Sequence, residues 1–209
     1  YMLQGLLQEQ GVTSFKTHHV SDDPEKLDEE IETIRELAAD AELIISTGGV
    51  SVGLFDSMPA IYEALGAEKL YDRLFMRPGA ASYGGVIRRE NGAFTFCLGL
   101  SGNPTAAYNT YHLLVFPVLR SLQGRRDILL PVVMLKLGSA IHKKNPFDRY
   151  VQGAITCESG EAVFMPNRVF TSSALLGLAH ANGMAKLEQG QHSYEVGDLV
   201  AVSLLKAHE

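Results

Sequence analysis

Residues 42–56, ELIISTGGVSVGLFD, run a short apolar stretch straight into a glycine pair and place an acid seven residues beyond the second glycine. Leu43, Ile44 and Ile45 read as a buried parallel strand, and Gly48 and Gly49 let backbone amides approach a ligand with no Cβ in the way. A helix is predicted to begin near Ser57, ahead of Ile61 and Leu65, so that free N–H groups and a positive dipole end face the same crevice. Strand, bare backbone and helix in that order build an anion pocket in an α/β fold.

A second segment repeats the theme. Residues 98–104, LGLSGNP, again carry a strand into a glycine turn, and Pro104 fits the first turn of a long apolar helix ending near Leu122. Ligands of open α/β sheets bind beyond the carboxyl ends of strands, where two such turns converge. Ser51 offers a hydroxyl donor and Asn103 both a donor and an acceptor.

The rest of the first part reads as alternating elements. A helix over MLQGLLQEQ stops at Gly11, and a short strand is expected around Thr13–Val20. Asp22, Asp23 and Pro24 start a helix whose apolar face is Leu27, Ile31, Ile34 and Ala38, with the acids from Glu25 to Glu36 as its solvated face. Lys69–Met76 reads as a strand or extended crossing segment. Tyr83–Arg89 and Ala93–Leu98 read as a hairpin with a tight two-residue turn at Asn91-Gly92. Beyond Gly124 the charged junction Arg125-Arg126-Asp127 gives way to short β-type runs: Val132–Leu137, Tyr150–Cys157, Ala162–Met165, Met184–Leu187 and Leu199–Leu204. The expected organisation is an α/β domain over 1–126 that starts mid-unit, without its first strand, and a small β domain over 127–209.

Composition narrows the function. The chain has 209 residues, 46% of them hydrophobic, and a formal net charge of −6, which leaves no global basic field for nucleic acid. No apolar run approaches the roughly 20 residues that span a bilayer, so no membrane partner is expected. Two cysteines, Cys97 and Cys157, suit a reducing, cytoplasmic setting better than a disulfide framework. The histidines, His18 and His19 included, lack metal-ligand spacing.

The motifs STGGVSVG (46–53) with Asp56, MRPG (76–79), GLSGNP (99–104), TSSALLGLAHANG (171–183) and YEVGDLVAV (194–202) together resemble the C-terminal half of the molybdopterin molybdenumtransferases, the MoeA family that includes the gephyrin E domain. The resemblance covers nearly the whole chain. It implies a doubly wound, MogA-like molybdopterin-binding domain lacking its first strand, then a C-terminal β domain, in a protein with two further N-terminal domains that forms a homodimer at full length. The implied activity is insertion of molybdate into adenylylated molybdopterin with magnesium and release of AMP, in molybdenum cofactor biosynthesis. The alternatives are a non-catalytic molybdopterin-binding or scaffold protein of the same fold and a related pterin- or nucleotide-binding domain with another substrate.

The resemblance implies a ligand cradle of Thr47, Gly48, Gly49, Val50, Ser51 and Gly53, together with Arg73, Ser101, Gly102, Asn103 and Pro104. Asp56, Arg77 and Asp22 are the implied catalytic groups, and Asp56 also the magnesium ligand. The other reading of Asp56 is a helix cap, and that of Asp22 is part of an Asp-Asp-Pro helix start. Arg77 reads as an oxyanion clamp or a surface arginine. The family commonly has lysines where Arg73, Arg77 and Ala80 stand and proline at Ser101; a Gly-Arg pair becomes Asp148-Arg149, and Asn167-Arg168 replaces Gly-Ser. Arginine keeps the positive charge with a planar fork suited to oxyanions, whereas Ala80 cannot substitute for lysine.

Overall fold

The computed structural model describes residues 1–50, 56–142, 146–158, 160–167, 175–190 and 193–205. The chain divides into two compact units, one made of Tyr1–Arg73 and Ala81–Gly102, the other of Leu74–Ala80 and Asn103–Glu209.

In the first unit, helix α1 (Met2–Glu9) ends ahead of Gly11, which adopts φ +81°. Asp23 accepts a hydrogen bond from the Glu25 N–H and caps a short 3₁₀ turn, Pro24–Lys26, which leads into α2 (Leu27–Leu37). Strand β1 (Leu43–Thr47) follows, then α3 (Met58–Ala64), β2 (Glu68–Tyr71), β4 (Tyr83–Arg88) and β5 (Phe94–Leu100); β3 (Met76–Arg77) belongs to the second unit. These strands form a four-stranded sheet ordered β1-β5-β4-β2. Only β1 and β5 run parallel, paired from Leu43↔Phe96 to Thr47↔Leu100. The core joins Ile34 of α2 and Met58, Ile61 and Tyr62 of α3 to Tyr83 and Cys97 of the sheet, with Leu27, Ile31 and Ile44 packed around it. Burial pushes the Cys97 thiol up to about 12, so it stays protonated and serves packing.

Three expectations change in this unit. Thr13–Val20 forms no strand, because it finds no ladder partner among the described residues. Leu43, Ile44 and Ile45 are half-buried, since β1 lies at the edge of the described sheet. The hairpin loop has three residues rather than two: Arg89 N–H bonds to Ala93 C=O, Gly92 N–H returns to Arg89 C=O, and Gly92 takes φ +81°. A type I turn closed by a left-handed glycine is the usual three-residue solution.

The second unit holds a six-stranded sheet ordered β10-β12-β6-β9-β8-β3, built from β6 (Val132–Leu137), β8 (Asp148–Glu158), β9 (Glu161–Pro166), β10 (Gly183–Leu187) and β12 (Leu199–Leu204) together with β3. Strands β7 (Ile141–His142) and β11 (Ser193–Tyr194) make a separate pair. The five longer strands fall where the sequence places them. Their core centres on Leu137, Phe164, Leu187 and Val202.

Helix α4 (Pro104–Thr110) also belongs here. Its buried Asn109 donates to the Tyr150 C=O at 3.3 Å and accepts from Gln152 of β8. The long helix is interrupted: one π turn (Tyr111–Val115) separates α4 from α5 (Phe116–Leu122). Pro117 lies in the first turn of α5 and has no N–H to donate, so the regular ladder cannot run through it. Helix α6 (Leu175–His180) and the pairing of β3 with β8 have no counterpart in the expectations above.

Candidate functional site

The register between β1 and β5 sets the geometry of the glycine turns. Their final parallel pair is Thr47↔Leu100, so both strands release the chain at the same end of the sheet. Gly48 donates its N–H to the Leu100 C=O at 2.9 Å, and a Cβ built on Gly102 would meet Gly48 Cα at 3.4 Å. The turns are thus in backbone contact, with no side chain separating Gly48 from Gly102.

Local conformation explains why glycine stands there. Gly48 and Gly49 adopt φ +80° and +63°, which an L side chain enters at a cost of roughly 1–2 kcal/mol. A Cβ on Gly49 would also press on Met58 Cγ at 3.2 Å. Gly49 C=O accepts from Met58 N–H at 3.2 Å, tying the turn to the start of α3. Val50 turns inward and is buried. Gly99 makes room for it, since a Cβ there would lie 2.5 Å from Val50 Cγ1. Gly99, the first residue of the GLSGNP motif, thus makes the space that lets Val50 pack inward.

Ser101 and Gly102 complete this arrangement in the first unit. Ser51 and Gly53 lie outside the described residues. Asp56 sits one residue before Ser57, the residue preceding α3, and is half-buried. Asn103 accepts from the Thr105 and Ala106 N–H groups at 3.0 and 3.2 Å, so its side-chain oxygen caps α4, with Pro104 in the first turn. Arg73 is exposed in the first unit.

Asp22 is exposed beside a cavity of about 380 Å³ that His18, His19, Ser21, Lys26 and Glu30 help to line, and no residue of the glycine turns contributes to that cavity. Here the expectation of a solvated acidic face fails at one position. Glu30 is buried; its Oε2 lies 2.5 Å from His18 Nε2, and its Oε1 accepts from the Ser21 N–H at 2.8 Å. The hydrogen bond with His18, then that from Ser21, hold the Glu30 carboxyl below its ordinary value despite burial.

Arg77 lies in the second unit, on β3 opposite Arg149 of β8. Directly paired residues project from the same face of a sheet, so the two arginine side chains leave that face at neighbouring positions. Burial, and after it the Arg77 charge, pull Arg149 below its ordinary value. Phe147 supports the pair: Arg77 Cζ stands 4.8 Å from its ring centroid, and Phe75 meets the same ring edge-on at 4.4 Å. Two neighbouring cations, each with a planar fork, offer the charge and geometry that suit an oxyanion. In the sequence Arg149 stands only within a departure from a Gly-Arg pair; the β3–β8 pairing is what brings it opposite Arg77.

Among the described residues no group of three or more His, Cys, Asp or Glu side chains could hold a metal ion. Magnesium does not require such a cage, since it retains water and commonly binds through one or two carboxylates plus substrate phosphates. Asp56 offers one carboxylate of the kind that mode uses. Among the described residues, no helix is long and apolar enough to cross a membrane.

A mixed sheet whose parallel strands end in touching glycine turns is an open α/β domain of the kind that binds ligands beyond the carboxyl ends of its strands. The family described as a probable molybdopterin binding domain matches residues 1–121, and the MoeA C-terminal region (domain IV) matches residues 134–205. The chain belongs to the MoeA family, with a molybdopterin-binding domain followed by domain IV. It is 33% identical over 181 residues to a molybdopterin molybdenumtransferase of Staphylococcus aureus, covering 87% of this chain and 42% of that protein. It is 30% identical to one of Staphylococcus epidermidis, covering 99% of this chain and 48% of the relative. The molybdopterin biosynthesis MoeA protein of Pyrococcus horikoshii OT3 shares the fold with a TM-score of 0.69 at 18% identity, over 97% of this chain and 45% of its own. The chain spans less than half the length of its staphylococcal relatives.

Proposed function

We propose that the protein takes part in molybdenum cofactor biosynthesis by inserting molybdate into adenylylated molybdopterin with release of AMP. The observation that carries this reading is the backbone contact between Gly48 and Gly102 at the shared carboxyl end of β1 and β5. Thr47, Gly48, Gly49, Val50, Ser51, Gly53, Ser101, Gly102, Asn103 and Pro104 receive the phosphate-bearing pterin, and Arg73 adds positive charge. Exposed main-chain N–H groups suit this task because they bind anions at no reorganisation cost. Within the second unit, Arg77 and Arg149 offer positive charge to an oxyanion. Asp56 holds magnesium, which when bound neutralises phosphate charge, and Asp22 orients the substrate. Catalysis rests on positioning and charge stabilisation, with no covalent enzyme intermediate.

The working domains in this reading are 1–126 and 127–209, supported by family matches that end at residue 121 and resume at 134. The full-length protein is a cytoplasmic homodimer. The test is AMP release from adenylylated molybdopterin on adding molybdate and magnesium. Arg77→Ala and Arg149→Ala should each slow it about 10- to 100-fold, on the scale of losing one oxyanion donor. Unchanged AMP release in both variants would remove the oxyanion role, and no release from the unaltered protein would remove the activity itself.

A further inference from the structure

We propose that Glu30 is a positioning residue that fixes Asp22 in the geometry its work requires, an inference that rests on the role assigned to Asp22 above. Glu30 projects from α2 and is only 8% exposed. A buried carboxylate is costly unless its oxygens are bonded. Both are: Oε1 accepts from the Ser21 N–H at 2.8 Å, and Oε2 pairs with His18 Nε2 at 2.5 Å. One side chain therefore ties α2 to two points of the segment that delivers Asp22.

The tie continues past Asp22. Ser21 Oγ accepts from the Asp23 N–H at 3.2 Å, and Asp23 Oδ1 accepts from the Glu25 N–H at 3.1 Å. The Lys26 N–H closes the turn on the Asp23 C=O at 3.1 Å. The backbone N–H groups on either side of the Asp22 N–H are thus both engaged, the first by Glu30 and the second by the hydroxyl of the residue that Glu30 holds. Asp22 itself is exposed, and it lines the same cavity as Glu30. A mobile carboxylate on a loop contributes little to a reaction that depends on orientation, and displacement by about 1 Å can cost on the order of 100-fold in rate. The segment 13–20 has no ladder partner among the described residues, so the Glu30 contacts supply the anchoring that a strand would otherwise provide.

The test compares Glu30→Ala, Glu30→Gln and Asp22→Asn in the full chain, measuring AMP release and hydrogen exchange at the Ser21 amide. Glu30→Ala should lower kcat about tenfold while KM for adenylylated molybdopterin stays within about twofold, and should speed Ser21 exchange. Glutamine keeps an acceptor for Ser21 and a polar partner for His18, so Glu30→Gln should recover to within about threefold of the unaltered rate. A wild-type kcat in Glu30→Ala, a KM that rises in step with the loss, or a glutamine variant as impaired as alanine would each overturn the proposal. Full activity in Asp22→Asn would overturn it through the role of Asp22. Accelerated Ser21 exchange in Glu30→Ala would then place the failure in that role, whereas unchanged exchange would place it in Glu30 itself.

Discussion

His112 sits on the π turn with its imidazole 6% exposed, and neither ring nitrogen has a hydrogen-bond partner among the described residues. Tyr108 and Tyr111 meet it edge-on at 4.6 and 5.2 Å. Burial in this aromatic surround pushes its pKa down from 6.5 to about 4, so the folded protein keeps it neutral. The unfolded chain takes up the proton first, so stability falls as pH drops from about 6.5 towards 4. Between pH 7 and pH 5 this amounts to about 2 kcal/mol. His112→Phe should remove that part of the acid sensitivity, read as a smaller shift of the urea midpoint between the two pH values; an identical shift in the variant would contradict the assignment. Glu30 acts with the same sign in a lower window. Its carboxyl is held below the ordinary value, so its contribution is present above about 4.5 and lost as pH falls through the folded value.

Among the elements, the β1–turn–α3 unit was legible in residues because its determinants are local. Two glycines at positive φ, an apolar strand before them and a periodic helix after them are visible without the fold. What was not legible depends on partners distant in the chain. The burial of Glu30 needs His18 and Ser21, the pairing of Arg77 with Arg149 needs strand β3 to join β8, and Thr13–Val20 lacks a ladder partner among the described residues. Pro117 was a readable signal for the interrupted helix, since a proline inside an apolar periodic run disturbs the hydrogen-bond ladder. Gly99 gives the element-scale prediction. Alanine there places Cβ 2.5 Å from Val50 Cγ1 and 3.1 Å from Tyr83 Cβ. Gly99→Ala should destabilise the protein by about 1–3 kcal/mol, as overpacking does, and shift the turn that Val50 anchors. Gly102→Ala provides the contrast in thermal unfolding, because its nearest contact is 3.4 Å and its φ is not positive. Equal melting temperatures for the two variants would show that Val50 does not lock the turn.

For the molecule as a whole, two family matches in sequence and two larger sheets among the described residues describe a chain that joins an α/β domain to a β domain. The compact units do not break where the composition changes: the chain passes between them at residues 73–74, 80–81 and 102–103. Composition along the chain cannot reveal that, because the buried Asn109–Gln152 bond and the β3–β8 ladder gather segments distant in sequence. The touching glycine turns are proposed above to cradle an anionic pterin. That role is tested most directly by calorimetric titration of adenylylated molybdopterin into the unaltered protein and into Gly102→Ala, whose methyl group fills the gap beside Gly48 while the backbone accepts it. The account predicts one-to-one binding by the unaltered protein, weakened about tenfold, or about 1.4 kcal/mol, in the variant. Equal affinity in the two proteins, or no binding to either, would contradict it.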